Sequence, residues 1–174
     1  LAVSAASAHY VLDYPTRIGF DDEKLDQAPC GSFDPTDRSA GVTKWSIGGS
    51  NIAVTSTHAR VRWQFNVALV SDPTRWLPLV KEFGQTGVGN VCFKGVPGIS
   101  AWANQQAVLQ VIQYGHDGVL YQCAAIEIVA GGPDPVPNSC KNSNGISIDS
   151  LVPAPVLPAP VGSSSSSSLT ATGA

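Results

Sequence analysis

The chain has 174 residues, 43% hydrophobic and 13% charged, enough to bury one core of ordinary size and hardly two. A formal net charge of -3 and the lack of any Lys/Arg cluster exclude the basic field that nucleic acid requires, so no nucleic-acid partner is expected. No apolar run reaches the roughly eighteen residues of a membrane-spanning helix.

In chain order, Leu1 to Ala8 (LAVSAASA) is an apolar and then small-residue run, and Ala6-Ser7-Ala8 fits the small-x-small rule of signal peptidase. Residues 1–8 are therefore read as a signal-peptide remnant whose removal makes His9 the first residue. His9 to Asp13 is a short strand candidate stopped by Tyr14-Pro15. Asp13, Asp21, Asp22, Glu23 and Asp26 form an acidic cluster with neither a calcium-loop spacing nor a glycosidase pair, and read as a solvated loop.

Ile52 and Val54 mark a strand over Asn51 to Ser56. From Ala59 to Leu69, Val61, Trp63, Phe65, Val67 and Leu69 alternate with Arg60, Arg62, Gln64, Asn66 and Ala68, which predicts a half-buried strand. The break at Ser56 to His58 reads as a hairpin turn, leaving His58 at a strand end. Ser71 to Phe83 hints at a helical turn or two. Gly84 to Gly89 (GQTGVG) lacks the lysine and helix of a phosphate-binding loop and reads as a flexible surface loop, with a strand following at Val91 to Phe93. Val108 to Tyr114 and Val119 to Val129 form a second hairpin around Gly115-His116-Asp117-Gly118.

Short strands punctuated by Gly, Pro, Asn and Asp predict an all-β fold, an immunoglobulin/fibronectin-like antiparallel β-sandwich spanning residues 9–150. Residues 151–174 read as a disordered tail: Val152 to Val161 is a polyproline-like spacer, followed by six serines at Ser163 to Ser168. That composition suits an O-glycosylated stalk ahead of a lipid anchor.

Cys30, Cys92, Cys123 and Cys140 lack CxxC spacing and predict two structural disulfides, in agreement with a secretory route. Of the three possible pairings we favour Cys30 with Cys123 and Cys92 with Cys140. The chain has three histidines, His9, His58 and His116. Once freed, the α-amine and the Nδ1 of His9 can close a chelate ring on one metal, and His58 completes a T-shaped set of three nitrogens, a histidine brace. Planar nitrogen donors suit copper(II), which also binds most tightly among the divalent first-row ions. His116 reads as a turn residue. Gly-x-Ser-x-Gly is absent, and no catalytic residue is assigned.

His9-Tyr10-Val11-Leu12-Asp13-Tyr14-Pro15, Gly19-Phe20-Asp21 and Ala28-Pro29-Cys30-Gly31 closely resemble fungal copper proteins related in fold to lytic polysaccharide monooxygenases, including the Bim-type copper-acquisition factors. Thr55-Ser56-Thr57-His58, Gly115-His116-Asp117-Gly118 and Leu120-Tyr121-Gln122-Cys123-Ala124 continue the resemblance over nearly all of residues 9–145. It implies a copper(II) brace from His9 and His58, a carboxylate third ligand, and copper handling without polysaccharide oxidation. It also implies a secreted, cell-surface protein carried by a glycosylphosphatidylinositol anchor on the plasma membrane or wall, with the copper ion and a membrane copper transporter as partners. A monomer is expected. The family commonly places Asp after the Cys-Ala pair, where this chain has Ala125. Glu127 shares that strand face, and Asp117 in the turn is taken as the third ligand. The alternative reading is a copper-dependent lytic polysaccharide monooxygenase or other cell-wall oxidase, for which Trp45, Trp63, Trp76 and Trp102 are the candidate aromatics, with Trp63 alternating inward on its strand to pack in the core.

Overall fold

The inward phase of Val61, Trp63, Phe65 and Val67 sets β4 (Arg60–Leu69) in the middle of the larger of two sheets. The computed structural model describes residues 9–155. The smaller, three-stranded sheet runs β1 (Tyr10–Tyr14), β3 (Ser50–Ser56), β7 (Gly89–Val96). The larger, seven-stranded sheet runs β10 (Ser147–Ile148), β6 (Phe83–Thr86), β4, β8 (Gln106–Gly115), β9 (Gly118–Val129), β2 (Thr43–Ser46), with β5 (Asp72–Pro78) also on β4. Every pairing is antiparallel except β2 with β9.

The sheets close on one core. Tyr10, Leu12, Ile52, Val54 and Phe93 from the smaller sheet meet Trp63, Phe65, Leu109, Val111 and Ile126 from the larger. Its centre is aromatic: Trp63 lies 5.0 Å from Tyr10 and 5.3 Å from Phe93, both edge-on, and Phe65 lies 5.2 Å from Phe93. The larger sheet is covered on its other face as well. The segment between β1 and β2 packs Ile18, Phe33 and Cys30 against Ala68, Val108 and Cys123. Arg38 pins that cover by donating to the carbonyls of Ala107 (3.0 Å) and Ile126 (2.6 Å). Both favoured disulfides are present, Cys30–Cys123 holding this cover and Cys92–Cys140 holding the C-terminal segment against Ala53.

Four expectations change. The Ser56–His58 break is not a hairpin turn: β3 and β4 belong to different sheets, because Ile52 and Val54 face Trp63 and Phe65 across the core. Ser71–Phe83 contains no helix. Trp76, Leu79, Val80 and Phe83 mimic helical spacing, but Pro73 and Pro78 bar a helix interior and are tolerated in β5, a strand paired only with β4. Gly84–Gly89 is mostly strand, since Gln85, 2% exposed, accepts the Trp63 indole N–H at 3.1 Å. Finally, contacts run past the boundary expected at residue 150: Leu151 packs on the core, Lys81 N–H donates to Val152 at 2.8 Å, and Ala154 N–H donates to Leu79 at 3.0 Å. Leu1–Ala8 and the Ser-rich part of the tail lie outside the described residues.

The aromatic centre gives the first prediction. Phe93 is 1% exposed and touches Trp63, Phe65 and Phe83, so Phe93→Ala should cost about 3–5 kcal/mol in urea-induced unfolding.

Candidate metal centre

The first described residue is fastened beside the crossover between the sheets. Tyr10 pairs with Ser56 in the β1–β3 register, and one step further His9 and Thr57 bond each other. The His9 N–H donates to Thr57 Oγ1 at 2.8 Å, while the Thr57 N–H and hydroxyl both donate to the His9 carbonyl at 3.0 Å. The start of β1 is thereby set one residue from His58.

His58 is 3% exposed and engaged at both ring nitrogens. Its Nδ1–H donates to Gln113 Oε1 at 2.7 Å, and the Gln113 amide in turn donates to Ser56 Oγ at 2.9 Å. On the other side His58 Nε2 meets Asp117 Oδ1 at 2.8 Å. The tight β8–β9 turn makes this possible: Gly115 pairs with Gly118, leaving His116 and Asp117 at the tip above the end of β4. A Cβ at Gly115 would stand 3.0 Å from both His58 Nε2 and Asp117 Oδ1, close enough that one of them would have to give by a few tenths of an ångström. The exposed His116 ring is 6.1 Å from that of His58, edge-on.

Asp117 opens onto a cleft of ≈420 Å³ that it shares with His9. Asp22, Glu23 and Asp26 line the same cleft, with Leu25, Val119 and Leu120 as its apolar wall. The hydrogen bond from His58 holds the Asp117 carboxyl below the usual carboxylate range, the nearby charges of His58 and His116 add to this, and partial desolvation opposes it. His9 Nε2–H donates to the Asp22 carbonyl at 3.2 Å.

The structure thus joins His58 to Asp117 and puts His9 in the same cleft. Among the described residues no three His, Cys, Asp or Glu side chains already stand in coordination geometry. Glu127 does not compete with Asp117: it pairs with Gln106 at the opposite end of β9. Ala125, 1% exposed, pairs with Val108 about 24 Å along the strand from Gly118, at ~3.4 Å per residue. The acidic cluster divides, since Asp13 accepts the Thr55 hydroxyl at 2.7 Å outside the cleft. The four tryptophans form no exposed platform: Trp45 and Trp63 are fully buried, and Trp76 and Trp102 pack partly buried against the hydrophobic clusters. Sequence reading missed Gln113, Thr57 and Gly115. Each left a signal: Gly115 and Thr57 sit in the motifs around Asp117 and His58, and Gln113 is an amide in the inward phase of Leu109 and Val111.

Residues 7–145 match the family described as copper acquisition factor BIM1-like. The chain belongs to this family. Membership gives this BIM1-like protein a copper-related role. It is 31% identical over 150 residues to an uncharacterized protein of Aspergillus fumigatus, covering 81% of the chain and 62% of that relative. To the copper acquisition factor BIM1 of Cryptococcus neoformans var. grubii it is 27% identical over 156 residues, 82% of the chain and 70% of the relative. To the lytic polysaccharide monooxygenase-like protein X325 of Yarrowia lipolytica it is 26% identical over 159 residues, 86% of the chain and 59% of the relative. The BIM1-like chain therefore spans less than two thirds of the length of two of these relatives.

The close approach at Gly115 yields a direct test. Gly115→Ala should displace Asp117 from His58 by a few tenths of an ångström, seen as a changed His58 Nε2 nitrogen-15 shift in the metal-free protein. The cost in stability should be about 1 kcal/mol or less, because the carboxylate is largely exposed.

Proposed function

We propose that this protein captures one copper(II) ion at the fungal cell surface and hands it on. After cleavage before His9, the ligands are the freed α-amine and Nδ1 of His9, Nε2 of His58 and a carboxylate oxygen of Asp117. The observation that carries this reading is the His58–Asp117 contact beside the His9 cleft. With Nδ1–H committed to Gln113, Nε2 turns to the Asp117 carboxylate at 2.8 Å, and a metal ion that displaces the proton between them would take one nitrogen and one oxygen donor there. The same distance is about the edge spanned by two cis ligands at a right angle when each bond is ~2.0 Å, as for first-row divalent ions.

The donor set fits copper(II). Imidazole and amine nitrogens with one oxygen are the ligands of a tetragonal cupric site. Asp22, Glu23 and Asp26 add negative charge on the approach, which favours entry of a cation. The chain's own contribution is to hold His58 rigidly, to fasten the start of β1 through Thr57, and to present Asp117 from a tight turn. The Ser-rich tail serves as a stalk to a lipid anchor, the protein acts as a monomer, and a membrane copper transporter receives the ion.

Calorimetric titration and electron paramagnetic resonance test this reading. Protein beginning at His9 should bind one copper(II) per chain with a nitrogen-rich spectrum. Protein beginning at Leu1, where the His9 nitrogen is an amide, should bind far more weakly. His9→Ala and His58→Ala should each lose more than the ~10–100-fold that removal of an outer-shell partner costs. Unchanged affinity in both variants would overturn the ligand set. Oxidised oligosaccharides released from polysaccharide in the presence of reductant would overturn the reading of copper as cargo.

A further inference from the structure

Gln113 is fully buried on the core-facing side of β8, in phase with Leu109 and Val111. A primary amide there costs free energy unless its donors and acceptor are met, and an apolar side chain would fill the same volume without that demand. Its partners are specific. Ser56 Oγ, itself buried, receives the amide N–H at 2.9 Å, and Oε1 is thereby turned toward His58, whose Nδ1–H it accepts at 2.7 Å. Nε2, the nitrogen left over, points at Asp117.

We propose that Gln113, oriented by Ser56, is the positioning residue that fixes which nitrogen of His58 faces the metal side of the site. This rests on the ligand set proposed above. An imidazole bound through Nε2 must keep its proton on Nδ1, and a buried Nδ1–H needs an acceptor. Gln113 supplies one without adding a second negative charge behind the ring. An amide also holds the ring plane, since its Oε1 is anchored through the same planar group that bonds Ser56. The chain Ser56–Gln113–His58 begins on β3 and ends where β4 starts, so the orientation of the ligand is set by the packing of the two sheets.

The test compares Gln113→Leu with Gln113→Glu, the second retaining an acceptor oxygen. In metal-free wild-type protein, nuclear magnetic resonance should show a slowly exchanging His58 Nδ1–H. In Gln113→Leu this resonance should be lost to exchange, copper(II) affinity should fall ~10–100-fold, and the nitrogen pattern of the copper spectrum should change, while the backbone spectrum stays that of the folded protein. Gln113→Glu should restore the Nδ1–H resonance and the nitrogen pattern. A folded Gln113→Leu protein with wild-type exchange and affinity overturns the assignment. Should that variant fail to fold, Ser56→Ala decides: faster Nδ1–H exchange supports the assignment, and wild-type exchange overturns it. The proton resonance is read without copper, so failure of wild-type protein to bind copper would remove the functional reading and leave the positioning result standing.

Discussion

A buried imidazole held at both nitrogens stands where the chain crosses from one sheet of this protein to the other. His58 lies on the crossover from β3 to β4, its Nδ1 tied through Gln113 to Ser56 of β3 and its Nε2 tied to the turn between β8 and β9. Such a group is tolerated inside because both of its ring nitrogens find partners, and so does the amide that holds one of them. Each partner comes from a different strand or turn, so the arrangement exists only if the sandwich closes in one register. The same closure sets β1 against β3 and thereby brings His9 to the mouth of the cleft.

Much of the fold was legible because its main strands obey simple periodicity. β4 alternates cleanly, and β8 and β9 flank a turn bracketed by two glycines. The exceptions share a cause, tertiary context overriding local pattern. β8 is buried along most of its length because the segment around Cys30 covers its outer face, which makes Val108 and Leu109 equally apolar. β5 carries its apolar residues at helical spacing although two prolines forbid the helix. β3 and β4 follow one another so closely that a hairpin is the natural reading, yet both are apolar on the side facing the core, and only opposite sheets let both bury it.

The site was legible in its residue types more than in its geometry. A histidine after a small-x-small triplet, a second histidine at a strand end and an aspartate in a Gly-His-Asp-Gly turn are visible in a line of text, and His58 and Asp117 do meet. What the line cannot display is support from across the core. Gln113 is 55 residues from His58 in sequence, and Thr57 is 48 from His9. The carboxylates of Asp22, Glu23 and Asp26 read as an ordinary solvated loop, and only the folded cover over the larger sheet sets them beside His9.

The two residues joined at the centre differ in how firmly they are held. The His58 side chain is 2% exposed and braced from behind, whereas that of Asp117 is 43% exposed and stands on a turn. Under the proposed function this asymmetry separates the tasks of the ligands. A rigid imidazole, preorganised at no cost in side-chain entropy on binding, supplies affinity and geometry. A carboxylate at the surface, on a turn, can swing away as an incoming ligand arrives and so offers a route for release. A resident catalytic metal is served by ligands that are all locked, since its reactions demand fixed geometry through many turnovers. On that proposal, one locked and one accessible ligand beside an acidic cleft match an ion that is captured and then released.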